Sequence, residues 1–180
     1  MKIIQSPDPV LATTAKPVEH VDASIKKLVK EMKKTLLDQY DPEGIGLAAP
    51  QVGHSIQLFL VKEDPEAPFF VFINPIITPI YPKDADKKPN KIPRYMEGCL
   101  SLKNIWGKVR RAPKVKASWT DENGEHHEKT FTGFFAVILQ HEYDHLQGIL
   151  FPRHVIEQGN TLYKSHKDSS GEEVFDEMKI

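Results

Sequence analysis

A single cysteine, Cys99, is the chain's whole store of thiol chemistry, so no internal disulfide is available and nothing calls for an oxidising compartment. An excess of one charge is missing too. Lys and Arg number 24 against 25 Asp and Glu, and a net charge of -1 gives no general field for nucleic acid or anionic lipid. No apolar run approaches the ~20 residues that a membrane crossing needs. The opening Met1-Lys2-Ile3-Ile4-Gln5-Ser6-Pro7 lacks the apolar segment and cleavage site of a secretory signal, and the Arg- and Ser-rich character of a transit peptide. The expectation is a cytoplasmic protein with no membrane partner and no specific nucleic-acid partner, organellar only if an import segment has been removed. Internal repeats and long low-complexity tracts are absent as well. What remains, 39% apolar and 27% charged residues over 180 positions, suits one globular domain with a real core.

Residues 1–20 read as extended, because Pro7, Pro9 and Pro17 limit any helix. From 21 to about 40, Ile25, Leu28, Val29, Met32 and Leu36 recur at helical spacing while Lys26, Lys27, Lys30, Lys33 and Lys34 fill the other side. This predicts an amphipathic helix whose lysines form a solvated face. Asp41-Pro42-Glu43-Gly44 should break it. Segments 55–61 and 69–73 are rich in β-branched and aromatic residues and read as buried strands. Residues 82–94 are polar and Lys-rich with three prolines, an exposed loop for which a transient contact with the ribosome is one expectation. A hairpin is predicted from 114–119 and 125–131 around Asn123-Gly124. A second helix should run from about 133 to 147, with Thr132 as N-cap and Gly148 just past its end. Beyond it, 153–180 reads as a polar tail, preceded by a short strand near 149–151.

The strongest feature lies in that second helix: His141-Glu142-Tyr143-Asp144-His145. Histidines four residues apart sit about 40° apart around a helix axis and one turn apart along it, so both imidazoles can reach one metal ion. Glu142 is turned by about 100° from His141. It flanks the ion and suits a carboxylate that handles a water's proton. Phe134, Val137 and Ile138 share the histidine face; they form a wall beside the metal, the helix's core face, or both. By itself the pattern also fits a zinc peptidase or a pair of core histidines. The metzincin extension fails, since Gly148 is in place but Phe151 stands where a third histidine is needed. A downstream acidic ligand (Glu157, Glu172 or Glu173) stays open on spacing alone.

Two further segments bear on the choice. Gly44-Ile45-Gly46-Leu47-Ala48-Ala49-Pro50-Gln51 surrounds one amide side chain with small residues that let backbone approach a ligand. Glu97-Gly98-Cys99-Leu100-Ser101 puts the only cysteine beside a glycine and near a carboxylate. With Gln140-His141-Glu142-Tyr143-Asp144-His145-Leu146-Gln147-Gly148, these segments resemble, in order, the three motifs of the peptide deformylase family. The likeness extends from about residue 3 to residue 152. Phe134 and Phe135 depart from it, standing where many members carry leucines, and the stretch from Lys62 to Arg94 looks longer than in compact members.

The resemblance implies an α+β fold in one catalytic domain, residues 1–180, with small antiparallel sheets around a central HExxH helix and an N-terminal amphipathic helix. It implies a hydrolase that removes the N-formyl group from the formyl-methionine of nascent polypeptides and releases formate. Cys99, His141 and His145 would hold one divalent ion, commonly Fe²⁺ in this family, with Zn²⁺, Ni²⁺ and Co²⁺ also compatible with His₂Cys. Glu142 would be the base, and the Gln51 amide and Leu100 N–H would stabilise the formyl oxygen. Gly44, Ile45, Gly46, Glu97, Phe134, Val137 and Ile138 would line the substrate site. Arg111 is the candidate cation for Glu97, and Asp144 either orients a ligand histidine or faces solvent.

Overall fold

A computed structural model describes residues 1–39, 44–62, 64, 66–82, 92 and 94–179. The first helix, α1, spans Ala23–Leu37 because the Asp22 carboxylate accepts the N–H groups of Ser24 and Ile25 at 2.9 and 3.0 Å, fixing the start two residues later than the periodicity suggests. Tyr40 and the breaker at 41–43 lie outside the described residues. Leu28, Val29, Met32 and Leu36 are buried. Lys26, Lys27, Lys30 and Lys34 are exposed as expected, and Lys33 reaches Glu122 at 2.8 Å.

Strands β1 (Gly46–Ala48), β2 (Leu58–Val61) and β3 (Phe70–Ile80) are followed by the hairpin β4 (Arg94–Cys99) and β5 (Leu102–Arg110). A second hairpin, β6 (Lys114–Thr120) and β7 (His126–Thr132), leads into α2 (Gly133–Leu146), α3 (Phe151–Glu157), β8 (Leu162–Lys167) and β9 (Glu173–Glu177). They form two antiparallel sheets, in the orders β1-β2-β3-β6-β7 and β4-β5-β8-β9. The larger sheet is covered on both faces. Leu58, Leu60, Val71 and Ile73 meet α1, while Phe59, Val61 and Phe72 meet α2. That explains why β2 is apolar at every position rather than at alternate ones. Phe59 and Phe72 stack at 4.7 Å, and Phe131 and Phe135 stack at 4.9 Å to close the layer under α2. The smaller sheet has its own core of Val109, Phe151, Val155 and Leu162. The α+β architecture of small antiparallel sheets around a central helix is therefore as expected.

Local differences have physical causes. β3 runs past 73 because the Asn74-Pro75 interruption is absorbed as a register shift, with Asn74 at φ 50° and its side chain bridging Val18 N and O. Thr132 is at the N-cap of α2, but its side chain makes no capping bond; the Gly133 N–H goes to Pro113 O instead. The far end of α2 follows expectation. Gly148, at φ 69°, sends its N–H to His145 O, and Ile149 N–H reaches Asp144 O. A Cβ at 148 would also lie 2.7 Å from the Ala12 carbonyl carbon. The strand read at 149–151 is not formed, since Phe151 opens α3 with Pro152 in its first turn, where a missing N–H costs nothing. Residues 153–179 are not a loose tail but supply most of α3 and two strands. Of the loop read at 82–94, residues 83–91 and 93 lie outside the described residues; Ile92 is buried and Arg94 begins β4. No helix among the described residues is long and apolar enough to cross a membrane.

Candidate metal centre

Helix α2 presents His141 and His145 on one face, and the β4–β5 turn brings Cys99 up to them. One ligand atom from each lies within 4.8 Å of the others, and Cys99 Sγ is 3.3 Å from His145 Nε2. Burial raises the Cys99 pKa, but the charge of His145 and hydrogen bonds from both histidines outweigh it and bring the thiol to about 5. A thiolate and two imidazoles at this spacing, Cys99 and His145 buried and His141 half-buried, suit a divalent transition metal.

Glu142 stands beside this trio with its side chain against the backbone of β1. A Cβ on Gly46 would fall 2.7 Å from the Glu142 carboxyl carbon, so the strand can close on the acid only with glycine there. Glu142 is 4% exposed, and its Oε2 has no hydrogen-bond partner among the described residues. Burial pushes its pKa up to about 7 against the opposing charges of His141 and His145. A carboxylate so tuned can take up and give back a proton near neutrality.

Gln51 is anchored by its own turn. Its Oε1 accepts the Ala48 N–H at 2.8 Å, which aims Nε2 at Cys99 Sγ (3.4 Å) and Ser101 Oγ (3.3 Å). Leu100 follows Cys99, and its carbonyl accepts from Gln5 Nε2 at 2.9 Å. These groups, with Gly44, Ile45, Gly46, Phe134, Val137 and Ile138, line a largely apolar cleft of about 220 Å³.

Glu97 lines the cleft too, but both its oxygens are engaged. Arg111 Nε and Nη2 donate to it at 2.8 and 2.9 Å, and His141 Nδ1 lies 2.9 Å from Oε2. Burial would raise its pKa; the bonds from Arg111 and His141 hold it at about 2. The hydrogen-bond partner of His141 is thus Glu97, not Asp144. Asp144 neither serves His141 or His145 nor simply faces solvent. It receives Arg111 Nη1 and lies 2.9 Å from His154 Nε2. A continuous chain of polar contacts therefore runs from His141 through Glu97, Arg111 and Asp144 to His154 on α3.

Sequence reasoning missed His154, Ser101, Met96 and Trp106. Trp106 is placed by strand register, since Gly98 pairs with it across the β4–β5 hairpin and a Cβ there would lie 2.7 Å from the indole, a contact that the sequence alone does not show.

A family model described as polypeptide deformylase matches residues 1–161. A peptide deformylase of Psychrobacter cryohalolentis is 44% identical over 153 residues, covering 84% of this chain and 77% of the relative. One from Desulfotalea psychrophila is 39% identical over 168 residues, covering 91% and 92%. The crystal structure of peptide deformylase from Thermotoga maritima superposes with a TM-score of 0.73 at 35% identity, covering 85% of this chain and 95% of that one.

Proposed function

This chain belongs to the polypeptide deformylase family, and from that premise we propose the part each cleft residue plays. The protein is an enzyme, a hydrolase that removes the N-formyl group from nascent polypeptides. Cys99, His141 and His145 hold one divalent ion, which when bound polarises the formyl carbonyl and acidifies a water. We take Fe²⁺ as the native ion, with Zn²⁺, Ni²⁺ or Co²⁺ able to replace it in a His₂Cys set.

Glu142 accepts the proton of the attacking water and delivers it to the departing methionyl nitrogen. Its pKa near 7 suits both halves of that transfer. Gln51 Nε2 and the Leu100 N–H donate to the formyl oxygen as negative charge gathers there; losing one such donor typically costs about 10²–10³ in turnover. The backbone of Gly44, Ile45 and Gly46 holds the substrate extended, and the methionine side chain enters the wall of Phe134, Val137 and Ile138. Glu97 acts on the ion rather than on the peptide: by accepting from His141 Nδ1 it leaves Nε2 as the ligand atom. The chain works as one catalytic domain, wherever translation begins with formyl-methionine, and any contact with the ribosome is transient.

The observation that carries this reading is the convergence of Cys99, His141 and His145 beside a buried carboxylate oxygen of Glu142 that has no partner among the described residues. The test is formate release from a formyl-methionyl peptide. Glu142→Gln should retain stoichiometric metal and lose about 10²–10⁴ in kcat. Turnover near the native rate in that variant would remove Glu142 from the mechanism.

A further inference from the structure

The carriers of the site lie far apart in sequence, at Gln51, at the turn after Cys99 and at the end of α2, and one short segment touches them all. Ile4 N–H donates to Gln51 O at 2.8 Å, Ser6 N–H to Ser101 O at 3.0 Å, and Ala15 N–H to Leu146 O at 2.8 Å. A side chain adds a fourth bond, from Gln5 Nε2 to Leu100 O at 2.9 Å. The segment is itself well seated, since Leu11 is buried and Ile3 packs against the core beneath α1. Gln5 is half-buried and lies outside the lining of the apolar cleft.

These bonds reach both donors assigned to the formyl oxygen. Each residue has two soft backbone dihedrals, so the direction of the Leu100 N–H depends on how the peptide units around it are held. Gln5 holds the unit that follows at its carbonyl oxygen, and Ser6 holds the next one at Ser101 O. Gln51 is fixed at its own carbonyl by Ile4 and at Oε1 by the Ala48 N–H. The direct contacts across the site are longer, with Gln51 Nε2 3.4 Å from Cys99 Sγ and 3.3 Å from Ser101 Oγ. They also use the very amide that has to serve the substrate. A spacing set by them would change as the formyl oxygen arrived, whereas the bonds from residues 4–6 are independent of that amide.

We propose that residues 4–6 form a template that sets the spacing of the Gln51 amide and the Leu100 N–H, with Gln5 as the positioning residue for the Leu100 donor. The proposal rests on the deformylase reading and on the oxyanion roles given to those two groups. Gln5 acts through the backbone of the β4–β5 turn and never touches the substrate, so its effect falls on the transition state rather than on binding.

The experiment is Gln5→Met, which keeps the reach of the side chain and removes its donor. Turnover, as kcat for formate release from formyl-Met-Ala, should fall about tenfold. That is less than the roughly 10²–10³ of a donor lost outright, because the Leu100 N–H is still present but less well aimed. KM should stay within about twofold and the metal should remain stoichiometric. Tm should fall by no more than a few degrees, as for one hydrogen bond lost near the surface. In amide NMR spectra of the metal-free protein, the Leu100 signal should move while the signals of β2 stay in place. A residue that served stability alone would lower Tm and leave kcat per folded, metal-loaded molecule unchanged. That result, a loss carried by KM, or an unmoved Leu100 signal would overturn the template. Native enzyme that releases no formate would instead overturn the deformylase reading, and the Leu100 signal would still decide the template.

Discussion

Replacing Gly46 by alanine tests the catalytic geometry more sharply than deleting a functional group. The new Cβ would sit 2.7 Å from the Glu142 carboxyl carbon and 2.9 Å from its Cγ, and nearer still to Oε1. Ordinary contact begins at 3.4 Å, so the carboxyl carbon has to retreat by about 0.7 Å. Glu142 is buried on a helix packed against the larger sheet, and its open side is the cleft it lines, so the carboxylate would be pushed out of its present position toward the cleft. A misplacement near 1 Å can cost about 10²-fold in rate. We therefore expect kcat for formate release to fall about 10²-fold with KM changed by less than about threefold. Overpacking should also lower stability by about 1–3 kcal/mol, a drop of roughly 2–12 °C in Tm. Metal content should hold, because the three atoms nearest the new Cβ all belong to Glu142 and none to the proposed ligands Cys99, His141 and His145. Combining Gly46→Ala with Glu142→Gln adds a check. If the alanine acts through Glu142, the double variant is no slower than Glu142→Gln alone. A kcat within threefold of native, or losses that multiply in the double variant, would refute the reasoning.

Arg111→Met strands Glu97 as a buried charge beside His141 and leaves Asp144 with His154 alone, so unfolding free energy should drop by about 3–5 kcal/mol, and a chelator should strip the metal about 10–100-fold more readily; urea titration and metal-release assays read both. In the metal-free protein, Glu97 has its folded pKa held at about 2, below the ordinary 4.5. Its contribution is present above pH 4.5 and lost as pH falls toward 2, about 3 kcal/mol in all. The stability gap between native and Glu97→Gln proteins should therefore narrow over that window in urea titrations, and a gap constant with pH would contradict the assignment. Cys99→Ser should keep Tm within a few degrees in the metal-free state, while elemental analysis shows metal lost and formate release falls with it.

Much of the site was legible because its parts are local. His141, Glu142 and His145 depend only on helical geometry, and Asn123-Gly124 and Gly148 are punctuation that acts within a few residues. The Gly44–Gln51 segment likewise carries its own turn, through Gln51 Oε1 and the Ala48 N–H. Asp144 shows where this stops. It sits on the ligand helix, near both histidines in sequence, yet its carboxylate turns to Arg111, 33 residues away, and to His154. The partner of His141 is Glu97, 44 residues from it on β4, where the side chain of Arg111, just past the end of β5, also reaches. A charge buried this deeply takes the partner that tertiary packing leaves within reach, not the one nearest in sequence.

The C-terminal residues make the same point. Their polar composition has little core periodicity, because β8 is held by pairing along β5 and β9 by pairing along β8, with Leu162 their contribution to the core. By itself the sequence determined the helix that carries His141, Glu142 and His145, the lone thiol of Cys99, and the apolar pattern that wraps the larger sheet. Only the tertiary structure decided which carboxylate steadies His141, which glycine makes room for Glu142, and which segment ties Gln51 to Leu100. Each of those is a contact between segments that only the folded backbone brings within a few ångströms.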